Sequence, residues 1–224
     1  MNEEIKQYYN DLASSYDSNR FENSYGKYID NQERVFLKDF LSKITAGKIL
    51  DLGCGTGRFL DFANFGVDIS PNMIEIAKSK FPEKEIKEGS VSAIPFQDYF
   101  FDAIFSLHVI MHLNKEITEA FLEESHKKLN ANGTLIFDFP SKKRRRTTQY
   151  NAGNWHAANQ FSIEEILQMT KTNWILKKYH GILFIPIHRL PSSIRSFFIK
   201  IDNFLCRSFL KEYASYVIIE LEKK

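Results

Sequence analysis

Residues 48–139 alternate between strand-like and helix-like stretches, and this alternation predicts an α/β fold: a mostly parallel sheet with helices on both faces. A second observation points the same way. The apolar run Lys48-Ile49-Leu50-Asp51-Leu52 leads into Gly53-Cys54-Gly55-Thr56-Gly57, a turn with glycine at alternate positions. Such glycines let the backbone turn sharply and let a ligand lie against bare main chain. Third, acidic and small polar residues fall at the ends of successive apolar strands, where open α/β sheets have their crevice.

In order along the chain, residues 2–15 read as a helix and Tyr16–Phe21 as a polar and aromatic loop. A second helix covers about 26–43, with Ile29, Val35, Phe36, Phe40 and Leu41 on helical spacing. Strands are expected near 48–52, 65–69, 85–88, 101–107 and 133–139, and helices near 58–63, 71–80 and 115–130. Asn132-Gly133 punctuates the end of the last of these helices. Residues 174–185 and 213–222 are strand-like again. Between them, Pro186 and Pro191 bracket a loop, and 192–211 reads as an amphipathic helix. Its apolar stripe would be Ile194, Phe197, Phe198, Ile201, Phe204 and Leu205, with Arg195, Lys200 and Arg207 on the polar side.

The 224 residues, 43% of them hydrophobic, suffice for one buried α/β core with an elaboration. A formal charge of +2 selects neither a nucleic-acid surface nor an acidic partner. Cys54 and Cys206 are the only cysteines and lack metal-ligand spacing, so no metal is expected. No signal peptide is visible, and no apolar run approaches the ~18 residues that span a bilayer, so a cytoplasmic protein is expected.

Dinucleotide enzymes use G-x-G-x-x-G, whose third glycine permits close helix–strand packing. Here Arg58 stands in that place, which disfavours NAD or FAD. Asp68 ends the second strand 17 residues after Asp51, where a carboxylate can accept hydrogen bonds from ribose hydroxyls. Glu88–Phe96 follows the third strand, and Phe101–His108 forms the fourth and its exit.

These four blocks, in this order, resemble the class I S-adenosylmethionine-dependent methyltransferases of the small-molecule (type 11) kind, over about residues 45–140. The resemblance implies a Rossmann-like, seven-stranded sheet with the last strand antiparallel. It divides the chain into an N-terminal helical cap, 1–44, and a methyltransferase domain, 45–224, with a helical insertion at about 186–212. It implies S-adenosylmethionine as cofactor. Asp51 would reach the methionine amino group, and the backbone of Gly53, Cys54 and Gly55 would pass under the methionine. Asp68 would hold the ribose, Ile69 and Met73 would lie against the adenine, and Ser90 and Val91 would meet its edge. The Leu107 carbonyl would lie near the amino-acid end, and Tyr16 and Arg20 would close over the cofactor. Two features depart from the pattern: Ser90 stands where the family has aspartate, and the stretch from Gly57 to Asp68 is short, which abbreviates the first helix. Plainer roles stand beside these: Asp51 ordering the loop, Asp68 a turn residue, Tyr16 a core tyrosine, Cys54 a small residue in a tight turn.

The acceptor is less determined. His108 and His112, four apart after the fourth strand, are the candidate bases; the alternative for His112 is packing against the sheet. Trp155 and His156 are candidate substrate contacts; the alternative is a surface loop with one anchoring tryptophan. Lys142-Lys143-Arg144-Arg145-Arg146 is either a phosphate clamp or a solvated loop. The 192–211 helix could close the acceptor pocket or pack on the domain, pair two copies, or lie on a membrane surface. The expected function is methyl transfer to oxygen or nitrogen of a small molecule, a sugar or specialised metabolite, by a monomer or homodimer. An RNA methyltransferase using residues 142–146 and a non-catalytic cofactor-binding protein are the alternatives; nucleic acid is the less favoured partner.

Overall fold

The computed structural model describes residues 2–44, 47–150 and 158–224. Seven strands form one sheet: β1 Ile49–Leu52, β2 Phe65–Asp68, β3 Glu85–Glu88, β4 Phe101–Ser106, β5 Leu129–Pro140, β6 Trp174–Ile182 and β7 Tyr216–Lys223. Their spatial order is β3-β2-β1-β4-β5-β7-β6. The first five run parallel, and β7 is antiparallel to both β5 and β6. The order reverses between β1 and β4, and ligands of open α/β sheets bind outside the strand ends at such a point.

Both faces of the sheet are covered, which is why the central strands are almost continuously apolar. Successive residues alternate between two cores. Ala103, Phe105 and Ile136 join one with Phe36, Leu37 and Phe40 of α3 (Ser24–Leu41). Ile104, Leu135, Phe137 and Phe139 join the other with Phe121 of α5 (Lys115–Lys128) and Ile166 of α7 (Ile163–Thr170). Helices α3 to α7 start on side-chain caps. Asn23 accepts from Tyr25 N and Gly26 N at the start of α3. Ser70 accepts from Met73 N ahead of α4 (Pro71–Lys80), which has proline in its first turn. Ser162 and Glu165 form a capping box on α7, an element the hydrophobic pattern did not reveal.

Several local expectations are corrected. Tyr16–Phe21 is not a loop but a short helix, α2, which follows α1 (Asn2–Leu12) after a single 3-10 turn. Residues 58–63 hold only the 3-10 turn Leu60–Phe62, because the connection from Gly57 to β2 is too short for more. Asn132 and Gly133 do not end a helix: α5 stops at Lys128, and the pair lies inside β5, where Asn132 takes a left-handed φ of +60°. The basic run is α6 (Lys142–Thr148), capped by Ser141, rather than a loop. β6 stops at Ile182 and β7 starts at Tyr216, each three residues inside the expected ends.

The late helix is α8 (Ser192–Leu205), and it packs with a different face from the one its pattern suggested. Ile194, Phe197 and Phe204 point to solvent, with Phe204 72% exposed. The inward face carries Phe198, Ile199, Asp202 and, just past its end, Cys206. The Asp202 carboxylate accepts from Tyr28 Oη, Gln32 Nε2 and Ile185 N. A carboxylate complements this inward face because α3 and the 183–185 backbone present donors there. Arg195 is likewise not on the polar side; its guanidinium donates to the carbonyls of His188 and Leu190. Among the described residues, no helix is long and apolar enough to cross a membrane.

Candidate active site

The glycine turn sits at the end of β1, and Gly53, Gly55 and Gly57 all have positive φ. A side chain at Gly53 would also collide with Val109 Cγ2, 2.3 Å from where its Cβ would stand. The turn is pinned to β2: Gly53 N and Cys54 N donate to Val67 O, and Gly55 N donates to Asp68 Oδ2 at 2.7 Å. Ser70 N donates to Asp68 Oδ1 at 2.9 Å, so the carboxylate orders both the glycine turn and the start of α4. Burial raises the Asp68 pKa, and these backbone N–H groups oppose the rise.

A cavity lies over this turn. Of the candidate cofactor residues, Tyr16, Gly53, Gly55, Asp68, Ile69, Met73, Ser90, Val91 and Leu107 line it, together with His108 and His112. Ile5 and Tyr9 of α1 line it too, and these were missed. α1 is held there by Lys6 paired with Glu88, and by Asn10 Oδ1, which accepts from Ser70 Oγ at 2.6 Å. Two candidates lie beneath the surface instead. Cys54 is buried, and its thiol is pushed well up by burial and the nearby Asp68 and Asp51 charges, which leaves it unreactive. Asp51 is 3% exposed, with Oδ2 lacking a partner; burial and the Asp68 charge hold its pKa well above the usual carboxylate value.

A second cavity shares Tyr9, Tyr16, His108 and His112 with the first. Arg20, Phe21, Tyr25, Gly26, Ile29, Met111 and Tyr216 complete its wall. Arg20 therefore belongs to this second space rather than to the first. Tyr9 Oη and His112 Nε2, 2.8 Å apart, tie α1 to the loop after β4 where the two cavities meet. Trp155 and His156 lie outside the described residues.

His108 stands at that junction in a left-handed conformation, φ +62°, a strain of about 1–3 kcal/mol for a side chain with a Cβ. Its backbone N–H donates to Asp138 Oδ1 at 2.7 Å, which fixes the turn and aims the ring. His108 Nε2 lies 2.6 Å from Glu33 Oε1, close but off the line of a good hydrogen bond. Nδ1 lies 3.9 Å from Asp138 Oδ2. Arg58 closes the chain of charges, with Nη2 at 2.6 Å from Glu33 Oε2 and Nε at 2.8 Å from Asp30 Oδ1. Burial pulls the His108 pKa down, but Glu33 and Asp138 outweigh it and hold it above 6.5. Burial alone would raise Glu33; the charges of His108 and Arg58 reverse that. Asp138, without an arginine, is pushed up to about 6 by burial. The Glu33, His108 and Asp138 ligand atoms lie within 4.8 Å of one another, a spacing a metal could use, but Arg58 on Glu33 opposes a further cation. Sequence reading missed Glu33 and Asp138. Their signal was an acid on the apolar face of a helix and an acid inside the run Leu135-Ile136-Phe137-Asp138-Phe139.

The family model for a methyltransferase domain matches residues 50–137. Over these residues the chain is similar to class I S-adenosylmethionine-dependent methyltransferases. An uncharacterised protein of Methanocaldococcus jannaschii is 27% identical over 236 residues, covering 95% of this chain and 88% of that one. Magnesium protoporphyrin IX methyltransferase from Synechocystis, solved with bound S-adenosylhomocysteine, has a TM-score of 0.68 at 14% identity, over 98% of both chains. Geranyl diphosphate C-methyltransferase from Streptomyces coelicolor has a TM-score of 0.65 at 15% identity, over 100% of this chain and 98% of that one.

In this region the residues fit the donor molecule. The bare glycine turn offers backbone to a close ligand, and the unpartnered Asp51 Oδ2 is an acceptor that lacks a donor. The basic helix α6 is largely engaged elsewhere. Lys142 pairs with Glu165, Lys143 with Glu164 and Glu212, and Arg145 donates to Asn159 O.

Proposed function

We propose that the protein transfers the methyl group of S-adenosylmethionine to an oxygen or nitrogen of a small molecule, a sugar or specialised metabolite. The observation that carries this reading is the pair of cavities meeting at His108 and His112: one over the glycine turn and Asp68, the other walled by α2, α3 and the loop after β4. The donor supplies an already activated methyl, so the protein's work is alignment and exclusion of water, which can contribute ~7–11 kcal/mol. In this reading Asp51 meets the donor's ammonium, Asp68 its ribose, and Ser90 and Val91 its adenine. Tyr9 and Tyr16 roof the donor and separate it from the acceptor. His108, backed by Glu33, accepts the proton of an acceptor that must lose one. His112, bonded to Tyr9, holds the partition between the two spaces. Residues 1–44 act as the cap that shapes the acceptor side.

Radiolabelled methyl transfer into fractionated small-molecule and RNA pools tests the proposal. Label in a low-molecular-weight fraction is the expected result. Label confined to RNA would move the function to the basic helix, and donor binding without any transfer would leave a non-catalytic binder.

A further inference from the structure

We infer that the second cavity takes a planar aromatic acceptor with an acidic hydroxyl, a phenol, and that His108 Nδ1 receives its proton. This rests on the first cavity being the donor site. The lining carries the argument. Tyr9, Tyr16, Phe21, Tyr25 and Tyr216 wall the space with His108 and His112. These rings already meet one another edge-on: Tyr9 with Tyr16 at 6.1 Å between centroids, Tyr16 with Phe21 at 5.7 Å, His108 with Tyr216 at 5.7 Å. A flat ring entering among them finds the edge-to-face contacts that aromatic groups prefer.

Among the described residues that wall the second cavity there is no Asp, Glu, Asn or Gln. Its polar groups are the tyrosine hydroxyls, the two imidazoles and the Arg20 guanidinium. A cationic amine needs a carboxylate on the wall, and the nearby Glu33 and Asp138 are not among the described residues that line it. A phenol needs a partner that can take its proton, and His108 is a lining residue of that kind. His108 Nε2 is buried against Glu33, so Nδ1, 3.9 Å from Asp138 Oδ2, is the ring nitrogen left to take the proton. Arg20, exposed at the rim, adds a positive charge that favours the ionised acceptor.

The step balances. The phenol O–H proton passes to Nδ1 of neutral His108. The oxygen forms its bond to the methyl carbon as the methyl–sulfur bond breaks, and that electron pair stays on sulfur. The products are an aryl methyl ether, S-adenosylhomocysteine and a protonated imidazole that Glu33 stabilises until the proton leaves to solvent. Glu33 is a positioning residue here: it holds the ring through Nε2 and does not touch the acceptor.

The test is calorimetric titration of 2-naphthol, 2-naphthylmethylamine and methyl β-glucoside into protein saturated with S-adenosylhomocysteine, followed by labelled methyl transfer to 2-naphthol across pH. Naphthol is expected to bind in preference to the other two. Its affinity should fall about tenfold in Tyr25→Ala and in Tyr216→Ala, with S-adenosylhomocysteine affinity unchanged. The acid limb of the transfer rate should move to lower pH in Glu33→Gln, which a merely structural role for Glu33 would not produce. The inference is overturned if protein that binds S-adenosylhomocysteine ignores naphthol, prefers the amine or the glucoside, or binds naphthol equally well in both alanine variants. Failure to bind S-adenosylhomocysteine would instead remove the donor reading, and the inference with it.

Discussion

Asp51 is buried beneath the glycine turn with one carboxylate oxygen unpartnered, and its pKa is held well above the usual value by burial and by Asp68. A cationic ammonium brought to that oxygen would relieve both. Hydrogen bonds to charged groups contribute about 1.5–3 kcal/mol, so Asp51→Asn should weaken donor binding by about 10- to 150-fold in a calorimetric titration; unchanged affinity would place the ammonium elsewhere. His108 supplies the pH prediction. Its pKa is raised above 6.5, so the neutral form that can accept a proton is lost as pH falls through a value higher than that. The acid limb of kcat/KM against pH should therefore lie above 6.5 for wild type. Replacing Glu33 by Gln removes the charge that most raises the pKa and should move the limb down, which steady-state rates across pH would show. The sequence made His108 readable as a candidate because it follows a strand end. It could not show Glu33, whose partner is 75 positions away and meets it only once α3 packs on the sheet.

At the scale of elements, the strands and α4 follow directly from apolar runs and turn residues, because their burial is set by the chain's own period. α8 did not follow, and the reason is local chemistry. Asp202 looks like a surface residue on a polar face, yet it is fully buried and accepts from Tyr28, Gln32 and the Ile185 backbone. Apolar periodicity cannot anticipate a helix docked through a carboxylate. Asp202→Ala should cost about 3–5 kcal/mol of unfolding free energy, since it strands buried donors. The double change Phe197→Ser with Phe204→Ser, on the exposed face, should stay within about 1 kcal/mol. Chemical denaturation of the two variants checks this, and the reverse ranking would mean that α8 packs through its aromatic stripe. The same lesson applies to α6. Five consecutive cations read as an anion site or a solvated loop, but Glu164, Glu165 and Glu212 arrive from α7 and the turn before β7 to meet two of them.

For the whole molecule, the sheet order, the glycine turn at β1 and the crossing point between β1 and β4 together place one cavity at the strand ends and a second beside it. The parallel core and its cofactor edge were readable because glycines, strand-end acids and apolar runs are local signals. The wall of the second cavity was not, because it is assembled from α1, α2, α3 and β7, elements far apart in sequence. Ligand that binds only the folded chain stabilises it by mass action, by about 2.7 kcal/mol at 100 times Kd. S-adenosylhomocysteine should thus raise the melting temperature of the wild-type chain where NAD does not. The most direct measurement is calorimetric titration of S-adenosylmethionine into the wild-type chain and into Asp68→Ala. The account predicts one site per chain, with affinity lost in a variant whose circular dichroism remains native. No binding to the wild type, or equal binding to both, would contradict it.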